Sequence, residues 1–133
     1  MLLQIDLQSE VPIYTQLVHN IIEGIARKEL LPGEALPSVR SMAADLGINL
    51  HTVNKAYNIL KQDGFVQVNR KQGAVIHPAS FPLADEQYQL RLQEQMRPLI
   101  AEAICRGMSS EQFKVISEQI YSQFSIGEEK EDG

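Results

Sequence analysis

The 133-residue sequence has a single cysteine and no apolar run long enough to cross a membrane. The lone cysteine, Cys105, cannot build a disulfide framework within one chain, which is compatible with a reducing compartment. Residues 1–6 contain no basic group and no long apolar stretch, so they do not resemble a signal peptide. A membrane-spanning helix needs about 20 apolar residues. These absences predict a soluble cytoplasmic protein with no membrane partner.

Motifs for catalysis and metal binding are also missing from the sequence. There is no glycine-rich phosphate loop, no nucleophile elbow and no His-Glu-x-x-His pair. His19, His77 and Cys105 do not have the spacing of a short zinc motif. We therefore expect no enzyme activity, no metal site and no cofactor.

Charge is unevenly distributed along the chain, whose net charge is −5. Residues 38–78 contain five basic and two acidic groups, a net charge of +3, whereas the segments on either side are acidic. A phosphate backbone would be attracted to the basic middle segment.

Apolar periodicity predicts a helix-rich first half. Residues 3–7 alternate weakly and indicate a short edge strand, and a stripe with a four-residue repeat predicts a helix from Pro12 to about Glu29. Leu31-Pro32-Gly33-Glu34 is typical of a turn. A further helix is expected between Ser38 as N-cap and Gly47 as left-handed C-cap, and another from about His51 to Gln62.

Two short helices joined by a tight glycine-containing turn are typical of a helix-turn-helix. Residues 65–69 and 74–77 then alternate as strands on either side of the polar turn 70–73, which predicts a β-hairpin in the position of a wing.

The last third returns to helical periodicity. One helix is predicted over about 84–106, with a bend near Gln95–Arg97 because Pro98 lies inside it, and Ser109 and Gln112 have the spacing of a capping box for a last helix. Each helix has an apolar stripe that we expect to form a dimer contact. The stripe residues are Leu92, Met96, Leu99, Ala103, Phe113, Ile116, Ile120 and Phe124.

These patterns predict a mainly α fold with a small β-hairpin. The expected organisation is a winged helix-turn-helix DNA-binding domain at 1–78, a helical dimerisation region at 79–126 and an acidic disordered tail at 127–133.

Several spaced motifs resemble the GntR family of transcription regulators, in its small YtrA-type branch. They are Ile5-Asp6, Ser9, Pro12-Ile13-Tyr14, Gln16, the run Leu31-Pro32-Gly33-Glu34 with Leu36-Pro37-Ser38-Val39-Arg40, and Thr52-Val53 with Lys55-Ala56-Tyr57, Leu60, Gly64 and Phe65-Val66. The resemblance covers residues 5–78 and implies a winged helix, homodimerisation through the C-terminal helices and, usually, repression. Leu50 departs from it, because relatives often have arginine there, and the wing tip is poorer in glycine than in many relatives.

Candidate DNA contacts lie in the basic segment, and each has a simpler structural interpretation beside it. Arg40 either clamps a phosphate or is plain surface, and Asn49 either pairs with adenine or caps the third helix. The remaining candidates are either DNA contacts or solvated surface groups, with Gly73 serving the turn. They are His51, Thr52, Asn54, Lys55, Arg70, Lys71 and Gly73.

The function predicted from the sequence is a DNA-binding regulator, most simply a repressor, that binds a pseudo-palindromic operator as a homodimer. The alternative is a winged-helix module that binds protein and not DNA. About 45 ordered residues after Pro82 are too few to enclose a pocket of roughly 300 Å³. A small-molecule effector is left open by the sequence, and it could still bind between subunits.

Overall fold

The computed structural model describes residues 3–79 and 81–132, without the side chains of 126–132. Within that part, five helices and a two-stranded antiparallel hairpin confirm the predicted mainly α fold. The elements are α1 (Ile13–Ala26), α2 (Val39–Leu46), α3 (Leu50–Gln62), β1 (Val66–Asn69), β2 (Gly73–Ile76), α4 (Glu86–Cys105) and α5 (Ser110–Asp132). The chain divides into two compact units, the first ending at Pro82 and the second beginning at Leu83.

The first unit is organised around one hydrophobic core shared by α1, α2, α3 and the hairpin. Leu17 and Ile21 of α1 meet Val53 and Leu60 of α3 there, and Ile76 of β2 closes the core from the hairpin side. All five side chains are fully shielded from solvent. Burying an aliphatic side chain of this size stabilises a fold by about 1.5–3 kcal/mol, so each of the five contributes substantially to the stability of the unit.

The helix-turn-helix is bounded by the caps that the sequence predicted. The Ser38 hydroxyl accepts the Ser41 N–H at 3.1 Å at the start of α2. Gly47 ends that helix at φ 67°, and the Ile48 N–H returns to the Ala43 carbonyl at 3.0 Å, as in a Schellman motif. This left-handed turn allows only three residues to separate the end of α2 from the start of α3.

The loop between α1 and α2 forms a turn and also pairs with the hairpin. The predicted turn is present, since Gly33 has φ 84° and the Glu34 N–H reaches the Leu31 carbonyl at 3.0 Å. Backbone bonds of 2.8 Å then join the Gly33 N–H to the Ile76 carbonyl and the Leu36 N–H to the Ala74 carbonyl. The loop therefore pairs with the free side of β2 and ties the wing to the helices.

Two predictions at the N-terminal side are wrong. Residues 3–7 form no strand, because the Asp6 backbone N–H and carbonyl are bound by the Gln16 side chain at 2.8 and 2.9 Å and not by a neighbouring strand. Helix α1 ends at Ala26, short of Glu29, because Lys28 takes φ 62° and the Glu29 N–H turns back to the Gly24 carbonyl at 2.9 Å.

The first unit extends past the boundary expected at residue 78. The ring of Phe81 lies 5.8 Å from the ring of Phe65, centroid to centroid. Pro82 lies so close to Gly64 that a Cβ on the glycine would meet its ring at 2.9 Å. The segment after β2 is thus packed on the winged helix before the second unit begins. Ser80, in the predicted connector, lies outside the described residues.

In the second unit, α4 is one continuous helix with Pro98 inside it, and the bend near Gln95–Arg97 stays a prediction. Pro98 and Glu94 lie on an exposed part of the helix, where water can reach a carbonyl that has no N–H partner. The capping box of α5 is confirmed, because Ser109 and Gln112 exchange hydrogen bonds of 2.8 and 3.2 Å. The backbone of α5 stays helical through Asp132, where a disordered tail was expected, and glutamate and lysine in that stretch are good helix formers. Gly133 lies outside the described residues.

Tyr57 links α3 to the start of α2. Its side chain is buried, and its hydroxyl donates to the Pro37 carbonyl at 2.8 Å. Burial raises the pKa of Tyr57 from 10.0 to about 12. The folded state therefore holds this proton more tightly than the unfolded state does.

We expect Tyr57→Phe to lower the free energy of unfolding at neutral pH by about 0.5–1.5 kcal/mol, the usual value of one hydrogen bond. The native protein should also lose stability as pH rises from 10 to about 12, because the unfolded tyrosine ionises first. Urea titrations across that pH range should show a smaller decrease in the free energy of unfolding for Tyr57→Phe than for the native protein. Tyr121→Phe, at a residue 77% exposed, is the matched control and should follow the native protein. Equal pH dependence in Tyr57→Phe and the native protein would contradict this role.

Candidate nucleic-acid interface

Helix α3 separates a buried face from an exposed polar face. Val53, Ala56, Tyr57 and Leu60 are buried in the core at helical spacing. The opposite face is exposed and consists of Leu50, His51, Asn54, Lys55, Asn58, Lys61 and Gln62, with Thr52 half-buried at its edge. Packing on the inner face thus determines which side chains point outward.

Four of the predicted contacts, His51, Thr52, Asn54 and Lys55, lie in the first turns of α3, as the sequence suggested. Asn58 was not predicted, although it lies four residues after Asn54 and so falls on the same exposed face.

Asn49 caps α3. Its carboxamide oxygen accepts the His51 N–H at 2.7 Å, so the interpretation of Asn49 as an N-cap is correct. Bidentate pairing with adenine needs both the oxygen and the amide nitrogen of an asparagine. Because the oxygen already has a backbone partner, the amide NH₂ is the part of Asn49 best placed to donate to another molecule.

Lys55 is held by an aromatic ring of α1. Its Nζ lies 3.9 Å from the centroid of the Tyr14 ring, and Tyr14 itself packs against the core. A cation over a tyrosine face is stabilised by the ring quadrupole and keeps its charge. Lys55 is therefore a positioned ammonium and not a freely moving one. Sequence reasoning missed this pair because its members are far apart in the chain.

Arg40 is the second residue of α2 and is exposed. It lies in the turn that Ser38 caps, where the Ser38 hydroxyl also donates to the Ser41 hydroxyl at 3.0 Å. The guanidinium thus projects from a well-ordered helix start, which suits a contact with an anion.

The wing tip holds the two other predicted cations. Arg70 and Lys71 are exposed in the turn between β1 and β2. The Asn69 carboxamide oxygen accepts the Gln72 N–H at 2.6 Å, and Gly73 follows at φ 72°. This conformation favours glycine, and a Cβ there would meet nothing within 4 Å. Gly73 thus serves the turn directly.

The predicted dimerisation stripes lie on the second unit. Leu92, Leu99, Ile116 and Ile120 are 38%, 63%, 42% and 49% exposed. The other four stripe residues, Met96, Ala103, Phe113 and Phe124, are half-buried.

Two kinds of site are absent from the described part of the chain. Residues 3–79 and 81–125, whose side chains are described, contain no group of three or more histidine, cysteine or acidic side chains that could hold a metal. No helix among them combines the length and the hydropathy needed to cross a membrane.

A helix-turn-helix followed by a β-hairpin wing defines the class of winged-helix transcription regulators. Solved structures share the fold. A transcriptional antiterminator from Listeria monocytogenes EGD-e matches with a TM-score of 0.85 at 23% identity, over 93% of this chain and 92% of its own. YtrA from Sulfolobus acidocaldarius, a GntR-family transcription factor, matches with a TM-score of 0.54 at 39% identity, over 90% of this chain and 97% of its own.

Residues 13–76 match the family described as bacterial regulatory proteins, gntR family. The HTH-type transcriptional repressor YtrA of Bacillus subtilis is 33% identical over 83% of this chain and 85% of its own length. An uncharacterised regulator of the same organism, YhcF, is 44% identical over 52% of this chain and 57% of its own. The chain belongs to the GntR family and is a YtrA-type transcription regulator with a DNA-binding helix-turn-helix.

We expect two substitutions of Asn49 to separate capping from DNA contact. Asn49→Ala removes the cap and should lower stability by about 1 kcal/mol. Asn49→Ser keeps a capping oxygen but has no amide NH₂, so it should unfold like the native chain and discriminate less between base pairs. Thermal unfolding and DNA titrations measure the two effects. Native specificity in Asn49→Ser would show that Asn49 is a cap only.

Proposed function

We propose that this chain is a transcriptional repressor that binds a pseudo-palindromic DNA operator as a homodimer. The observation that carries the proposal is the exposed polar face of α3, which is fixed by the core beneath it and flanked by cations on α2 and the wing. The assignment as a repressor is supported by the relative of that name, which aligns over 83% of the chain. A repressor acts where the DNA of its operator lies, so the proposal also places this protein in the cytoplasm.

Phosphate contacts are assigned to the cations of the basic segment. Arg40, Lys55, Arg70 and Lys71 are exposed on three successive elements of the first unit. Phosphate contacts fix the register of a protein on DNA and carry no base information. The anchored ammonium of Lys55 suits this role, since the Tyr14 ring holds it without neutralising it.

Base contacts are assigned to the start of α3. In a helix-turn-helix, the N-terminal residues of the recognition helix reach base edges in the major groove. His51, Asn54 and the amide NH₂ of Asn49 are exposed there and can donate hydrogen bonds, and Thr52 stands at the edge of the same face. This set can form hydrogen bonds with base edges.

Dimerisation through the second unit is supported by how little of it is buried. The fully buried hydrophobic residues of the described chain end at Ile76, and none lies in α4. The half-exposed stripes of α4 and α5 would be covered by the same faces of a second copy. Burying apolar surface between two copies would stabilise the dimer by roughly 25 cal/mol for each Å² removed from water.

An effector would also need two subunits. An open apolar depression of about 200 Å³ lies where α4 meets α5, lined by Ile100, Ile104, Met108 and Phe113 among others. Ligand pockets of drug-sized molecules are about 300 Å³ or more. A second copy packed over this depression would enclose it.

Binding should weaken steeply with salt if these cations neutralise phosphates. We expect the logarithm of the association constant to fall with the logarithm of salt concentration by about 0.9 per phosphate. Arg70→Ala should reduce that slope by about one and weaken binding to all sequences equally. Arg97→Ala, an exposed arginine of α4, is the control and should leave the slope unchanged. An affinity that stays flat between roughly 50 and 200 mM salt would favour a protein-binding module instead.

Ending the chain at Pro82 should give a folded monomer, because that fragment keeps every fully buried hydrophobic side chain of the described residues. It should bind a palindromic site roughly 10²-fold more weakly or worse, having lost the second tethered contact. Sedimentation and DNA titration of both chains test this. A full-length chain that stays monomeric at high concentration would contradict the homodimer.

In the full-length chain, Leu99→Glu places a charge on the 63% exposed stripe leucine and should separate the subunits without unfolding α4. Gln87→Glu adds the same charge at an exposed position of α4 that does not share the spacing of the stripe, and it should remain dimeric. If both variants stay dimeric, the stripe is not the interface.

A further inference from the structure

Leu50 is a partly exposed apolar side chain at the start of α3. It is the first residue of α3 and is 41% exposed. Leu46 and Ile48, just before it, pack against the hydrophobic core, whereas Leu50 does not belong to that cluster. A large part of this leucine is therefore open to another molecule.

The surroundings of Leu50 are polar. Asn49 precedes it as the cap of α3, and His51 and Asn54 are exposed beside it. Single exposed leucines are common and need no explanation by themselves. Leu7 and Leu31, for example, are exposed in segments outside the helices. Leu50 differs because it stands at the end of α3 to which base contacts are assigned above.

We propose that Leu50 is a specificity-determining residue that recognises thymine through its C5-methyl group. Of the base edges in the major groove, only thymine presents a methyl group, and apolar side chains contact it. A leucine has no donor or acceptor, so it can discriminate thymine from the other bases only by this apolar contact and by shape. The inference rests on the proposed function, since it requires α3 to lie in the major groove.

The same chemistry separates Leu50 from the phosphate contacts. An uncharged side chain releases no counterions when it meets DNA. Substituting it should therefore change base preference and leave the salt dependence of binding as it was. An arginine or lysine that binds phosphate would show the opposite behaviour.

The test uses the full chain and a duplex that this chain enriches from a library of random DNA. Each thymine of that duplex is replaced singly by deoxyuridine, which removes only the methyl group. We expect one thymine in each half-site at which the replacement weakens binding about fourfold, the value of one buried methyl-sized group.

Three variants assign the effect to Leu50. Leu50→Ala should bind the thymine and uracil duplexes equally, with an unchanged salt slope, whereas Leu50→Met should keep the preference. Leu7→Ala, at a leucine 68% exposed in the N-terminal segment, should keep the full fourfold preference. The native chain alone already tests the methyl contact, so a variant that fails to fold does not remove the test.

The outcomes distinguish a failure of the role of Leu50 from a failure of the proposed function. If binding falls steeply with salt but no uracil replacement weakens it, the role of Leu50 is overturned and the proposed function as a DNA-binding regulator stands. A fourfold effect that persists in Leu50→Ala assigns the methyl contact to another residue and also overturns it. A library that yields no preferred sequence overturns the proposed function itself.

Discussion

The burial of one face of α3 is the constraint on which the rest of the molecule depends. Val53 and Leu60 are fully shielded, and the Tyr57 hydroxyl is bound to the Pro37 carbonyl, so α3 can neither rotate nor slide without exposing apolar surface or breaking that bond. Moving even one such side chain into water costs about 1.5–3 kcal/mol. The orientation of His51 and Asn54 toward solvent is a direct consequence, because they occupy the other face of the same rigid helix.

The wing is held to this helix by backbone bonds as well as by packing. The loop at 33–36 pairs with β2, and Val66 and Ile76 bury their side chains in the shared core. Arg70 and Lys71 therefore project from a hairpin whose base is anchored on two sides. A charged side chain on such a support loses less conformational entropy on binding than one on a loose loop. The same argument applies to Lys55, which is held by the ring of Tyr14.

The two units of the chain differ in how far each completes its own core. The first unit buries leucine, isoleucine and valine side chains fully, whereas α4 buries none. A helix with a half-exposed apolar stripe gains little stability by itself. This difference is why self-association is proposed for the second unit and DNA contact for the first. With the proposed self-association, the affinity for an operator would depend on the concentration of the regulator.

Local chemistry determined much of this protein from its sequence alone. Ser38, Gly47 and the pair Ser109 and Gln112 were predicted as caps and act as caps, because a cap involves only residues a few positions apart. Asn49 forms the cap bond that was one of its two interpretations from the sequence. The hairpin and the helical spacing of the core residues were predictable for the same reason.

Tertiary structure decided what depends on residues distant in sequence. The alternation at 3–7 predicted a strand, but a strand needs a neighbouring strand. The backbone N–H and carbonyl of Asp6 instead form hydrogen bonds with the Gln16 side chain. The contact of Lys55 with Tyr14, the bond of Tyr57 to Pro37 and the pairing of residues 33–36 with β2 leave no periodic signal. The spacing of residues in a sequence predicts single helices and single turns. These contacts join separate elements, so they form only when the hydrophobic core has packed.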